Sequence, residues 1–543
     1  MMRFKLTHKS YVLFFLWICF LFFASTLLFA NQDQDAPGLE LARQVVKEAK
    51  NTTTADHSQF KALNQNFTSG PEISKACLSC HTEAANQLKK TLHWTWLDPN
   101  SPKDNKMGKA GYSVNNFCIS ANAMNDHHCN ECHIGWNEEG KKTEIDCLKC
   151  HGRKKINWEE VFGDYKYFAE SKDPEEKALA KDAQAEIHEV VQSIGRPTRK
   201  NCGTCHFSGG GGDGVKHGDL DPSLINPNKE LDVHMGYDGQ DFECTRCHTT
   251  IAHHVAGRIY GTPASETRHS LLEHDLEPKI MCESCHSDKP HALSSKMNDH
   301  TDKVACQACH VPVIAKVLPV QRWWDWSKAG KKKDGKPYDV YGPFGKPVYQ
   351  TTKGDTKWEK NVIPKYLWFN GSIKGVTAKD MIDPSKIVKL AWPNGNRNDK
   401  NARIFPFNIH SGKQPYDTVN KTMTTPLLSG EHGYWTTFDW QDSIQRGAKY
   451  LDLPFSGKID FVETAYVFPS THMVSPREEA LKCSQCHTRP DSRLANLAGF
   501  YMPGRDKVNI IDFAGWAIVL CSFGGIVLHA LGRIFTNGRK KEE

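Results

Sequence analysis

Almost no cysteine is left over in this sequence. Of its 19 cysteines, sixteen fall into eight copies of one five-residue pattern, and the other three are Cys19, Cys118 and Cys521. A disulfide framework is thereby excluded, because Cys19 and Cys521 sit in apolar runs at opposite ends and Cys118 has no partner between them. Apolar side chains are scarce as well: 39% of residues are hydrophobic and the mean hydropathy is −0.57. A chain of 543 residues this poor in buriable side chains needs another source of apolar interior. An excess of one charge is also missing, with 69 Lys+Arg against 63 Asp+Glu and a net +6. No basic run is interleaved with aromatics, so nothing points to nucleic acid as a partner.

The repeated pattern is C-x-x-C-H. It occurs at Cys77, Cys80 and His81; Cys129, Cys132 and His133; Cys147, Cys150 and His151; Cys202, Cys205 and His206; Cys244, Cys247 and His248; Cys282, Cys285 and His286; Cys306, Cys309 and His310; and Cys483, Cys486 and His487. With this composition, chance supplies roughly 0.03 occurrences. Two thiols one helical turn apart can each add to a porphyrin vinyl group, and the imidazole after them can reach the iron. Zinc ribbons share the C-x-x-C pair but explain neither the histidine after every second cysteine nor the uneven spacing. The chain is therefore expected to carry eight covalently bound haem c groups. Their macrocycles would supply the missing apolar interior, and their propionates would absorb much of the lysine. The expected fold is mainly α: a multihaem cytochrome c built around a packed eight-haem chain, with little regular β and one C-terminal transmembrane helix.

In chain order, residues 1–30 read as a signal peptide, with a basic start, an apolar run from Tyr11 to Leu28 and small residues up to Ala30. The run is also long enough for an uncleaved anchor. Residues 31–505 form the exported, periplasmic octahaem domain. Within it, 174–194 reads as a helix capped by Asp173 and opened by Pro174. Glu176 completes a capping box, Gly195 ends the helix, and Leu179, Ala183, Ile187, Val190 and Ile194 make its apolar stripe. Its His188 reads as surface. Residues 311–480 hold no motif and read as a haem-free segment wrapping the cluster. A second apolar segment, residues 508–532 within 506–534, is long enough to span a bilayer. Arg533, Arg539, Lys540 and Lys541 follow it and place the tail, 535–543, in the cytoplasm. Gly515, Ser522, Gly525, His529 and Gly532 share one face of that helix, which suits packing against a partner helix.

Eight motif histidines supply one axial ligand each, and many other histidines are available for the opposite faces. An iron with imidazole on both sides moves electrons and binds no substrate, so catalysis needs an exception. Ten residues beyond His206, Lys216 follows five glycines in six positions, a segment able to lie flat against a macrocycle. An amine ligand from Lys216 on one face would leave the other open. The plainer reading of Lys216 is a surface lysine in a flexible loop. Cys118 reads either as a buried small apolar residue or as a thiol suited to exchange with a sulfur–sulfur bond.

These residues resemble the octahaem tetrathionate reductases over roughly residues 75–490. The resemblance rests on the eight motifs, on Gly195-Arg-Pro-Thr-Arg-Lys-Asn-Cys-Gly-Thr-Cys-His206 with its glycine run to Lys216-His-Gly-Asp219, and on Asp232-Val-His-Met235. Asn116-Phe-Cys118, Gly412-Lys-Gln-Pro-Tyr-Asp417 and Cys306-Gln-Ala-Cys-His310 add to it. It implies seven bis-histidine haems and one active-site haem held by a lysine. That lysine matches Lys216 and the special haem matches the one on Cys129 and Cys132; whether His133 then still binds iron stays open. The family's active-site cysteine matches Cys118, and its aspartate aligns with Asp439. The distal ligands implied are His93, His234, His253 or His254, His291, His300, His410 and His472. The C-terminal helix departs from the soluble pattern and is similar to anchors that join periplasmic redox subunits to a membrane cytochrome b or quinone partner. Assembly into a homo-oligomer stays open.

Two functions compete on sequence alone. One is a reductase cleaving tetrathionate to thiosulfate, with nitrite or hydroxylamine as alternative substrates. The other is an electron conduit between a membrane quinone or cytochrome b partner and another redox protein, with every haem closed.

Overall fold

The computed structural model describes residues 53, 55–99, 101–120, 132–138, 141–208, 212–257, 282–287, 289–291, 294–497 and 499–539. The signal peptide, Cys129, three of the glycines before Lys216 and the last four residues lie outside them. The chain divides into two compact units, Met1–Ala480 and Leu481–Glu543.

The first unit begins with short helices that carry the haem motifs. The longest of its helices is Pro174–Gln192, opened by Asp173, whose side chain accepts from the Glu175 amide at 2.8 Å. Its buried positions are Ala180, Ala183, Gln184, Ile187, Val190 and Val191. Ala183, Ile187 and Val190 of the expected stripe are among them and Ile194 packs against the same core, whereas Leu179 is left exposed and Ala180 takes its place. The helix packs on Leu63, Phe67, Ile73, Trp136, Leu148 and Val161. Gln184 sits inside this contact because it answers both main-chain groups of Phe67, accepting from its N–H at 3.0 Å and donating to its carbonyl at 2.7 Å.

The segment without motifs is where the expected fold class needs correcting. Far from having little regular β, it builds a ten-stranded sheet. The long strand Arg403–Asp417 is its centre. It pairs antiparallel with Ile459–Pro469 from Phe407↔Pro469 to Asp417↔Ile459, and parallel with Val320–Asp325. Ile459–Pro469 in turn runs parallel to Val388–Pro393. Phe405 and Phe407 are fully buried, each 5.3 Å from the ring of Phe369 on the neighbouring strand Lys365–Phe369. The central strand is buried without interruption from Arg403 to Asn408 and alternates buried with half-buried positions only from there on, so its first part lacks the alternation by which a strand is usually recognised.

The second unit opens with the short helix Cys483–Cys486. His487 places Nδ1 3.0 Å from the Pro503 carbonyl. Gly504, at φ +84°, permits that approach, since a Cβ there would stand 2.7 Å from the His487 carbonyl. Asn509–Arg539 is a single helix. Over Asn509–Phe535 its mean hydropathy is 2.0 and none of it is buried, and among the described residues it is the helix long and apolar enough to cross a membrane.

Candidate functional site

The loop after the helix Arg199–His206 is pinned to the sheet at three points. Gly214 takes φ +74° because a Cβ would lie 2.3 Å from the Pro319 carbonyl, and its own carbonyl accepts from the Gln321 amide at 2.8 Å. Val215 is buried among Trp324, Trp326 and Phe468. The buried Asn408, on the central strand, donates to the Lys216 carbonyl at 2.9 Å and also contacts Arg322. Lys216 is thus held at its backbone while its Nζ lies 4.6 Å from the ring centre of Phe117.

Phe117 belongs to the turn that carries Cys118. Asn115 makes the turn, its Oδ1 accepting from the amides of Phe117 at 3.1 Å and Cys118 at 2.6 Å. Asn116 ties it to the sheet by donating to the His410 carbonyl at 2.6 Å. A second ammonium, from Lys109, sits 5.2 Å from the Phe117 ring and 3.5 Å from the Cys118 carbonyl. Burial lowers the Lys216 pKa, and Lys109 lowers it further against the opposing thiols of Cys132, Cys118 and Cys205. The shift is toward the neutral amine, the form with a lone pair. Lys353, reached through the Trp324 indole that donates to its carbonyl at 2.7 Å, also has a lowered pKa from burial, with Cys118 among its charged neighbours.

Backbone groups meet four of the motif histidines, in two ways. His151 and His248 set Nδ1 against backbone carbonyls at 2.9 Å, as His487 does, which fixes the tautomer whose Nε2 has a lone pair for iron. His133 differs. The Gly135 amide donates to its Nδ1 at 3.2 Å, and its Nε2 lies 2.8 Å from the Trp94 carbonyl, so backbone groups engage both nitrogens. The rings of Trp94 and Trp96 stand 5.0 and 5.2 Å from it.

Two imidazoles sharing one metal, each with nitrogen about 2.0 Å from it, have ring centres roughly 6 Å apart. Five motif histidines meet a second imidazole at that distance: His206 with His93 at 6.2 Å, His151 with His253 at 6.5 Å, His286 with His234 at 6.0 Å, His248 with His472 at 6.4 Å and His310 with His291 at 6.4 Å. Of the two adjacent candidates it is thus His253 that faces His151, while His254 is half-buried beside it. His410 is fully buried with neither ring nitrogen hydrogen-bonded, and burial, then Arg322, pushes its pKa down to about 3. An orphaned neutral imidazole of this kind is what an iron needs and what a folded core otherwise avoids. His300 is exposed, with Nδ1 2.6 Å from the Lys296 carbonyl. Asp439 is an exposed helix cap, accepting from the amides of Gln441 and Asp442 at 2.8 and 3.1 Å, and its neighbours Phe438 and Trp440 pack in the cluster that holds Phe117 and Val215.

The attachment cysteines of different motifs also meet. Cys77 touches Cys147, Cys132 touches Cys205, Cys202 touches Cys244 and Cys282 touches Cys306. Cys247 and Cys285 are neighbours, as are Cys150 and Cys202. In space the motifs therefore run first, third, fourth, fifth, sixth, seventh, with the second branching from the fourth. The donors, their tautomers and this chain of attachment points fit haem.

Sequence reasoning missed Asp219, Lys109, Lys353 and Asn408. Asp219 is fully buried and contacts His472 at 3.3 Å. Burial works against both charged forms, yet the contact outweighs it, holding the carboxyl below its usual range and the imidazole above. Asp219 was visible only as part of the Lys216-His-Gly-Asp219 run. The two lysines are indistinguishable in sequence from the rest of the 69 basic residues.

A family model described as Cytochrome c bacterial matches residues 321–490. The crystal structure of octaheme cytochrome c from Shewanella oneidensis is similar with a TM-score of 0.66 and 37% sequence identity, covering 80% of this chain and 94% of that one. An uncharacterized protein of Archaeoglobus fulgidus is 25% identical over 272 residues, covering 40% of this chain and 85% of its own.

Proposed function

This chain belongs to the octahaem cytochrome c family, a redox family with covalently bound haem, and from that premise we propose that it is an exported reductase of a small oxidised anion. The reading gives it eight haems on its eight motifs, anchors it by Asn509–Phe535 on the inner membrane with its tail in the cytoplasm, and feeds it electrons from a cytochrome b or quinone partner. One observation carries the proposal. Lys216 and Lys109 meet over Phe117 beside Cys118, and the second-motif Cys132 is a neighbour of Lys216, while both nitrogens of His133 are taken by backbone groups. Cys129 and Cys132 would hold the active-site haem, Lys216 would be its axial donor, and the paired imidazoles above would hold the relay haems. When bound, haem supplies one-electron redox chemistry and, at a position left open, a Lewis acid.

The chain's own residues do the rest. Lys109 sets positive charge beside Cys118, which draws and orients an anion. The apolar wall of Phe117, Trp324, Trp435 and Phe468 excludes water. With tetrathionate, the Cys118 thiolate attacks an inner sulfur, forming Cys118–S–S–SO₃⁻ and releasing one thiosulfate. Two electrons then break the new sulfur–sulfur bond, release the second thiosulfate and restore the thiolate, with no net proton. Nitrite or hydroxylamine would use the open position without the thiol. The test is Lys216→Ala, assayed with tetrathionate, nitrite and hydroxylamine: loss of turnover with the physiological substrate is expected, and full turnover with all three would refute the assignment.

A further inference from the structure

Asp219 lies three residues beyond Lys216, fully buried. Its Oδ2 accepts from the amides of Thr471 and His472 at 2.7 and 3.0 Å and contacts His472 Nδ1 at 3.3 Å, a nitrogen that also lies 3.1 Å from the Thr471 hydroxyl, while its Oδ1 has no hydrogen-bond partner. Four other candidate ligands set Nδ1 against neutral oxygens: the Gly195 and Ala256 carbonyls for His151 and His248, Gln87 for His253 and Asn298 for His291. The other carboxylate on this segment, Asp232, accepts from the Val474 amide at 3.3 Å. Lys316 stands beside it, bonded to Met473 and Ser475, and offsets its charge. Asp219 is left as the anion acting on His472.

A carboxylate on the far nitrogen of a ligating imidazole makes that ligand more basic, which favours the more positive, ferric state of its iron. We propose that Asp219 is a positioning residue that gives the haem between His248 and His472 the lowest potential in the relay, dividing the haem array into two electron pools. The contacts of Cys202 with Cys244 and of Cys247 with Cys285 set this haem between the fourth and sixth motifs. Motifs one to four, with the Lys216 site, lie on one side and motifs six and seven on the other. An electron that has crossed the low-potential step toward Lys216 is held there, so two can collect for a two-electron cleavage. Each transfer moves one electron between neighbouring irons, and no bond forms or breaks. The inference rests on His248 and His472 sharing an iron, and is independent of which substrate is reduced.

Full-length holoprotein in detergent is titrated potentiometrically, with EPR resolving the low-spin components, for the wild type and for Asp219→Asn. At a fixed poise the variant is expected to raise the ferrous-to-ferric ratio of one component about tenfold, equivalent to 59 mV for a one-electron couple, leaving the rest unmoved. Unchanged ratios in a variant with full haem content overturn the proposal. A second measurement needs no variant. The His248 and His472 rings are 28° from parallel, whereas the pairs at His206, His151 and His286 lie at 77°, 78° and 65°. Near-parallel planes give a rhombic low-spin signal and near-perpendicular planes a strongly anisotropic one. The component reduced last in the wild type is expected to be rhombic, and a strongly anisotropic one would overturn the proposal. If His472→Ala left every low-spin signal in place, the shared iron itself would be refuted.

Discussion

Phe117 organises the site by what it refuses to do. Its ring is an apolar platform under two amines, Nζ of Lys216 at 4.6 Å and of Lys109 at 5.2 Å, and it cannot hydrogen-bond either. That leaves the Lys216 lone pair available, and a guanidinium could not replace it, because arginine has no acceptor. Lys216→Arg is therefore expected to lose turnover as fully as Lys216→Ala, measured as kcat on the purified holoprotein. Cys118→Ser separates the chemistries. With tetrathionate, kcat should fall by at least about tenfold for want of a nucleophile, while turnover of nitrite or hydroxylamine stays close to that of the wild type. Equal losses on all three would show that the thiol acts structurally. At this scale the sequence was half legible. Cys118 stood out by elimination and Lys216 by its glycines, but Asn408 reaches Lys216 across 192 residues, and only the pairing of distant strands brings them together.

Among the elements, the helix Pro174–Gln192 was readable because caps and a 3.6-residue period act locally. The ten-stranded sheet was not. Its central strand opens on an unbroken run of buried residues, and its partners come from segments before and after it in the chain. Attention to the motifs also drew the eye away from a segment that has none, although the family match falls largely there. The two elements should answer differently to substitution. Gln184→Ala strands both main-chain groups of Phe67 and should cost about 1–3 kcal/mol, seen as a lowered thermal midpoint of the helical region with the haem spectra unchanged. Phe407→Ala opens a cavity beside Phe369 and Phe405 and should cost about 3–5 kcal/mol. Because Asn408 is the next residue, it should also disturb Lys216 and reduce turnover.

As a whole molecule, the chain sets a string of attachment points beside its side-chain cores, from the first motif to the seventh in one unit, and gives the eighth to the unit that carries the long apolar helix. If that helix is an anchor, the chain truncated after Lys507 should move from the alkali-washed membrane fraction to the soluble fraction and keep its haem stain. Retention in the membrane would place the anchor elsewhere. The central claim is that one iron among many takes an amine and keeps a face open. EPR of the oxidised full-length holoprotein, recorded before and after adding cyanide, tests it most directly. One component is expected to bind cyanide, with its signal shifting while the bis-imidazole signals stay in place, and Lys216→Ala should alter that component alone. A spectrum composed only of bis-imidazole signals and unmoved by cyanide would contradict the account.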